Sequence, residues 1–308
     1  MKVIHIQFAA IQGDVAGSIS KVDGLLHDVQ PGDVDFLLLP ELAFAEPKLN
    51  EGCTGYNFSS LSAIQPYLEL SESGPSSVWA RTTAQRLQSI VSVGYAEKVH
   101  ATSTSACTTN YNSNITYGPD GRVIAHYRKC FLYMTDESWC AEGGEGFYAG
   151  KLPAPVNQNI ALGICMDINP YRFTAPWTDM EFAHHALEVG AQLVVVSMAW
   201  NSLTLSHEDV LQNPSNMEPD LETLDYWIQR FKPLVEANNS VLLVMGNRCG
   251  VEEQVVYAGT SMIARVGRGS VEIWDVAGRG EERLLVVDTD TEPQFNLRFE
   301  PRKFTVSA

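Results

Sequence analysis

Apolar residues along this chain follow two rhythms. Short, nearly unbroken apolar runs recur at residues 35–39, 160–164, 192–197 and 241–246, and longer stretches between them space apolar positions three and four apart. A run of about 4–8 residues that is apolar throughout suits a strand buried on both faces, whereas the wider spacing marks a helix with one buried side. Residues 3–11 alternate as a first strand. Ile19, Val22, Leu25, Leu26 and Val29 predict a helix over Ser18–Val29. Pro31-Gly32-Asp33 is a turn, and Asp35–Leu39 the next strand.

Further along, Ser76–Gln88 reads as a helix and Ser89–Val99 as a strand. Tyr111–Tyr117 and Arg122–His126 flank a Pro119-Asp120-Gly121 turn and predict a hairpin. Helices are predicted over Thr178–Val189, with Gly190 placed as its C-cap, and over Leu221–Asn238. Strands at Val256–Val266, Val271–Val276 and Leu284–Val287 complete the pattern. Residues 43–75 are long, irregular and rich in Gly, Asn, Ser and Pro, the pattern of a wall or lid beside a site. Neither a linker nor a repeat divides the chain. The reading is one α/β domain over 1–308, with more than one sheet layer, a core at about 3–290 and a C-terminal arm at 291–308.

Formal charge is 21 minus 37, or −16, which argues against a nucleic acid or an anionic membrane as partner. Met1-Lys2-Val3-Ile4-His5-Ile6-Gln7-Phe8 alternates like a strand and lacks the apolar core of a signal peptide. No apolar window is long enough to span a bilayer. The cysteines at 53, 107, 130, 140, 165 and 249 form no CxxC pair, so neither disulfides nor a zinc site is expected, and a reducing cytoplasm fits. The sequons at Asn57, Asn114 and Asn238 are then expected to stay unused.

Candidate chemistry lies at the ends of three predicted strands. Leu37-Leu38-Leu39-Pro40 leads into Glu41, Tyr127-Arg128 into Lys129, and Ile160–Ile164 into Cys165. A lone cysteine is usually a small buried hydrophobe. An acid, a cation and a thiol delivered by three strand ends are instead the parts of an acyl-transfer site. The lysine is expected to lower the thiol pKa, and the carboxylate to take its proton. Spacing alone does not bring them together. Elsewhere, His184 and His185 read as ordinary helix residues, since Glu181-Phe182-Ala183-His184 lacks the second motif a di-metal site needs. Gly267-Arg268-Gly269 lacks the strand-to-helix context of a dinucleotide site and reads as a turn. Trp200 and Asn201 end an apolar strand, where Trp200 serves either core or pocket.

Pro40-Glu41, the block from Tyr111-Asn112-Ser113 through Gly118-Pro119-Asp120-Gly121 to Tyr127-Arg128-Lys129, and Cys165-Met166-Asp167 together resemble the carbon–nitrogen hydrolase (nitrilase) superfamily. The resemblance covers roughly 3–290 and implies an αββα four-layer sandwich, commonly a homodimer, working without a cofactor or metal. It implies Cys165 as nucleophile, Glu41 as general base and Lys129 as oxyanion cation, with the Met166 N–H as second oxyanion donor. It also implies a second glutamate eight residues past the lysine, where Glu137 stands, followed by Trp139; Ser138 replaces a common glycine. Cys165-Met166-Asp167 departs from the Cys-Trp-Glu of nitrile-hydrolysing members. Leu162–Tyr171 and Lys129–Tyr133 resemble the fungal-type N-terminal amidase branch, whose substrates are protein and peptide N-termini beginning with Asn or Gln. ω-Amidase and β-ureidopropionase branches share the same three residues, and a catalytically silent scaffold is the contrasting class. Asp167 is the first candidate for the substrate's α-ammonium, with a backbone-fixing role as the alternative. Trp139, Trp200 and Asn201 are the further substrate-binding candidates.

Overall fold

In the computed structural model, which describes residues 1–45, 58–100, 108–202, 205–213, 217–252 and 255–298, the apolar runs become the inner strands of two mixed sheets. The first half comprises β1 (Lys2–Gln7), α1 (Val15–Leu25), β2 (Phe36–Leu38), α2 (Leu61–Ile64), α3 (Pro75–Leu87), β3 (Ile90–Val99), β4 (Thr109–Tyr117) and β5 (Val123–Arg128). Next come β6 (Tyr148–Lys151), β7 (Asn159–Ile164), α4 (Glu181–Glu188), β8 (Leu193–Met198), α5 (His207–Gln212), α6 (Leu221–Arg230) and α7 (Lys232–Glu236). The chain closes with β9 (Val241–Asn247), β10 (Val251–Glu252), β11 (Val255–Val256), β12 (Met262–Gly267), β13 (Ser270–Val276), β14 (Arg283–Asp288) and β15 (Phe295–Arg298).

The first sheet has the order β14-β1-β2-β3-β4-β5, and the second β15-β13-β12-β9-β8-β7-β6. β1, β2 and β3 run parallel, as do β7, β8 and β9; the nearly unbroken apolar runs of the sequence are β2, β7, β8 and β9. Alternation within β1 and β2 shows why. Val3, Phe36 and Leu38 pack into the larger core between the sheets, whereas Ile4, Ile6 and Leu37 pack outward with Val22 of α1 and Trp79, Ala80 and Ala84 of α3. Phe182 and Ala186 of α4, Trp227 of α6 and Leu234 of α7 join the larger core from the second sheet's side. The result is the αββα layering that the resemblance implied.

Several boundaries move for local reasons. Helix α1 begins at Val15, ahead of Ser18, because the Asp14 carboxylate accepts from the Gly17 N–H and caps it. The predicted helix Leu221–Asn238 is two helices meeting at Phe231, since Pro233 cannot donate to the ladder. The stretch predicted as helix from Thr178 opens with a short turn over Trp177–Asp179, and α4 starts at Glu181. Residues 46–57 of the expected lid, with Cys53, lie outside the described residues, as does Cys107. The rest of that stretch carries α2, and Phe58, Ile64 and Tyr67 pack against Leu42, Ala96 and Trp139. Within the expected arm, β15 pairs with β13.

Two features set the site. β2 and β5 of one sheet and β7 and β8 of the other all end at the same seam, so four chain segments converge there. Gly94 makes room for the first of them. A Cβ at Gly94 would meet the Pro40 carbonyl oxygen at 2.6 Å and the Glu41 Cα at 2.7 Å, so no larger residue lets the Glu41 turn lie over β3.

Candidate active site

Glu41, one turn past β2, is buried with only 2% of its surface exposed. Its Oε1 accepts from the Lys129 ammonium at 2.7 Å and from Asn112 Nδ2 at 2.7 Å, and its Oε2 accepts from the Ala199 N–H at 2.8 Å. Every oxygen of the carboxylate is therefore aimed by a group from a different strand. Lys129, 1% exposed, donates also to Asp136 Oδ2 at 2.6 Å. Burial works against its charge, but Asp136, Glu41 and the neighbouring Cys165 more than offset that, and the ammonium is held well above the ordinary lysine range.

Cys165 follows the last residue of β7 and opens a short turn over Cys165–Ile168. Its φ of +41° is a left-handed conformation that a non-glycine residue adopts at a cost of about 1–3 kcal/mol, a strain that concentrates at functional turns. As the second residue of the turn, Met166 has an N–H without a partner inside the turn. Glu41 and Lys129 are both close enough to act electrostatically on the thiol, and the Ala199 backbone donates toward it. Burial and Glu41 push the Cys165 thiol well up, against Lys129 and Ala199. Lys129 does lower it, as expected, but burial and Glu41 outweigh that effect. Lys129 sits between two carboxylates, so the cluster beside the sulfur carries one net negative charge. The thiol is thus neutral at rest, and any reaction at its sulfur needs a base to take the proton.

Glu137 does not join this cluster. Its side chain is exposed, and the preceding residue, Asp136, turns inward to Lys129. The reason is the short turn over Asp136–Ser138, in which the Asp136 carboxylate accepts from the Tyr133 N–H at 3.1 Å while Glu137 and Ser138 are exposed. Asp167 does not reach the pocket either. Its oxygens accept from the N–H groups of Ile164 (2.7 Å), Phe131 (2.8 Å) and Cys130 (3.2 Å) and from the Tyr127 hydroxyl (2.8 Å). Those bonds fasten the end of β5 to the Cys165 turn, the backbone-fixing alternative; burial, opposed by these donors, moves its carboxyl up to about 6. Trp139 is buried beside Phe58 and Tyr67, away from the residues lining the pocket.

That pocket, about 400 Å³, opens over Cys165 and Met166. Tyr133, Phe173, Trp200 and Tyr226 give it aromatic walls, and Asn169, Asn201, Asp220 and Glu222 its polar positions. Trp200 and Asn201 both line the pocket, and Trp200 also packs against the larger core. Trp200 is fixed by Asn247, whose Oδ1 accepts from the Trp200 N–H (2.7 Å) and whose Nδ2 donates to the Trp200 carbonyl (3.1 Å). Asp136, Asn112, Asn247 and the α6 residues escaped the sequence reading. Asn112 lay inside a quoted motif without a role, and Asp136 stood one position from the glutamate chosen. Among the described residues no group of His, Cys, Asp and Glu is arranged to hold a metal ion, and no helix is long and apolar enough to cross a membrane.

The chain is 31% identical to the protein N-terminal amidase of Schizosaccharomyces pombe, over 93% of this chain and 98% of that one. It is also 31% identical to the protein N-terminal amidase of Saccharomyces cerevisiae, over 71% of this chain and 49% of that longer one. Crystal structures of an N-terminal amidase with a Gln-Val peptide and with an Asn-Glu peptide superpose with a TM-score of 0.79 at 21% identity, over 93% of this chain and 96% of theirs. That likeness is one of fold. Residues 5–292 match the carbon–nitrogen hydrolase family, and the chain belongs to it.

Proposed function

We propose that this chain deamidates the N-terminal Asn or Gln of proteins and peptides to Asp or Glu, releasing ammonia through a thioester on Cys165. The relatives' activity suggests the substrate. What carries it to this chain is the pocket's charge. Its lining holds two carboxylates, Asp220, which is buried beside Arg279, and Glu222, which is exposed, and no lysine or arginine among the described residues. A peptide N-terminus brings an ammonium there, and its own carboxylate is far down the chain. Free asparagine, free glutamine and α-ketoglutaramate each bring a carboxylate next to the reacting end, which the pocket disfavours. Its volume falls within the range of small-ligand sites, roughly 300–1,000 Å³.

Chemistry follows from the seam. Cys165 Sγ attacks the side-chain amide carbon as Glu41 takes the thiol proton, which a thiol held neutral by burial requires. The developing oxyanion faces the Lys129 ammonium and the Met166 N–H. Glu41 returns the proton to the leaving ammonia, and the thioester remains. Water then gives its proton to Glu41 as it attacks, and the acid product leaves with the thiol restored. Asp136 and Asn112 hold Lys129 and Glu41 in register. We read the whole chain, 1–308, as one catalytic domain of a cytoplasmic protein, assembled as a homodimer and needing no cofactor or nucleic acid.

The test is a matched peptide set followed by mass. Asn- and Gln-initiated peptides should show the gain that accompanies conversion of an amide to an acid. Their acetylated forms, and peptides with Asn at position two, should stay unchanged. Faster turnover of free glutamine or α-ketoglutaramate would transfer the assignment to an ω-amidase.

A further inference from the structure

Arg230 closes α6, is only 2% exposed, and sends its donors out of its own helix. Nε donates to the Ile168 carbonyl at 2.6 Å and Nη1 to the Trp177 carbonyl at 2.5 Å. Nη2 lies 3.6 Å from the Glu181 carboxylate at the start of α4, and the guanidinium covers the Trp177 ring, 4.6 Å from its centroid. Glu181 in turn accepts from the Tyr171 N–H at 3.2 Å. One buried side chain thus ties both ends of the segment 168–177. Within that segment Arg172 and Phe173 hold consecutive left-handed conformations, with φ of +53° and +55°. A buried arginine that answers loose carbonyls is usually a stabilising feature and no more. What sets this one apart is where its Nε bond lands.

Ile168 is the last residue of the turn that Cys165 opens. At the start of that turn the Asp167 carboxylate takes the Ile164 N–H, and the Met166 carbonyl takes the Asn169 N–H at 2.9 Å. So short a turn leaves its last carbonyls without partners of its own, and a charge-assisted bond from Arg230 occupies that of Ile168. Asp167 fixes the beginning of the turn and Arg230 its end, with the Met166 peptide between them. Resting on the deamidation reading above, we infer that Arg230 is a positioning residue for the reaction: through the Ile168 carbonyl it aims the Met166 N–H at the oxyanion. It does not line the pocket. Misplacing a group by about 1 Å costs as much as about 100-fold in rate, so a turn held at one end only should lose its aim.

The experiment compares two uncharged replacements, Arg230→Gln and Arg230→Met. Both lose the charge and the bond to Trp177, and both should melt below the parent. They differ at one atom: glutamine carries an N–H where arginine has Nε, within reach of the Ile168 carbonyl, and methionine carries none. The readout is kcat/KM for the dipeptide Asn-Val divided by that for its side-chain thioamide. Sulfur is a poor acceptor, so the ratio reports how well the oxyanion donors are aimed, and a smaller folded fraction cancels from it. Arg230→Met should lower the ratio by about tenfold, part of the loss that follows removal of one such donor. Arg230→Gln should stay within about twofold of the parent. An intact ratio in the methionine form, or an equal collapse in the glutamine form, overturns the assignment, and either variant can be read alone. Absence of Asn-Val turnover by the parent overturns the deamidation reading instead, and the ratio is then taken on free glutamine and its thioamide.

Discussion

The Lys129 ammonium lies 2.6 Å from Asp136 and 2.7 Å from Glu41, so a single buried cation joins two buried carboxylates. Removing Asp136 leaves Lys129 paired with Glu41 alone and takes away the second contact that fixes the ammonium in this buried place. Asp136→Asn is therefore expected to lower kcat by about 100-fold and to reduce thermal stability, since Lys129 can swing out of register. Glu137→Gln, at an exposed side chain, should stay within about twofold of the parent in both. Steady-state kinetics and thermal unfolding of the two variants decide which acid supports the lysine.

Lys129 itself is tested by charge and by shape. Lys129→Met should cost roughly 100- to 1000-fold in kcat, the usual effect of losing an oxyanion donor. Lys129→Arg should not restore the rate. A planar guanidinium cannot take the place of a compact ammonium held between Glu41 and Asp136. An arginine variant near the parent rate would make the position structural only.

Cys165→Ala should abolish turnover, whereas Cys130→Ala and Cys249→Ala should keep most of it. Cys130 packs against the Arg128 and Gly143 carbonyls, and burial moves its thiol up to about 11; burial likewise pushes Cys249 up, and neither lines the pocket. Mass analysis of enzyme quenched during turnover should find the acyl adduct on the Cys165 peptide alone.

How much of this was legible beforehand follows from what each residue depends on. Glu41 and Cys165 follow strands that apolar runs announce, and Lys129 follows one announced by the Pro119-Asp120-Gly121 turn. Their convergence is a property of two sheets meeting along a seam, which the family resemblance supplied and periodicity could not. Asp136 and Glu137 are adjacent acids in a short turn, and a shift of one residue decides which faces inward. Asp167 offered nothing to choose between substrate and backbone until Tyr127, Cys130 and Phe131 were seen to converge on it. The pocket walls come from four separate segments, around Tyr133, Phe173, Trp200 and Tyr226, and no local pattern links them.

Asn247 grips both backbone groups of Trp200, and the adjacent Ala199 N–H holds Glu41. Asn247→Leu leaves the buried Trp200 N–H without its acceptor, at about 1–3 kcal/mol, while the Trp200 carbonyl keeps the Ala258 N–H. The melting temperature should fall, and kcat should fall with it as the Ala199 N–H loses its aim. Asn247→Asp keeps the acceptor for the Trp200 N–H and should fall between. Equal kcat in all three forms would separate the clamp from catalysis.

The last prediction concerns Asp167, whose carboxyl burial raises from 3.8 to about 6, against donors from Phe131, Ile164 and Tyr127. A raised value means that the folded state holds the proton more tightly than the unfolded chain. The associated stability is complete below about pH 4 and is lost as pH rises through about 6, on the order of 3 kcal/mol for a shift of that size. His5 acts in the opposite sense. Burial lowers it from 6.5 to about 4 despite the carbonyls of Asn247 and Leu38 at its ring, so its contribution is lost as pH falls through the same window. The two slopes oppose each other, and the total curve hides both. Asp167→Asn removes one of them. The variant cannot titrate there and presents an N–H where the Ile164 N–H and Tyr127 hydroxyl need an acceptor, so it should be less stable than the parent near pH 4. The deficit should narrow as pH rises past about 6, where the parent carries its buried charge. Denaturant unfolding across that range measures the difference directly, and parallel curves would sink the assignment. The preference for a free amine should survive in this variant even as kcat falls, because Asp167 holds the nucleophile turn and does not line the pocket.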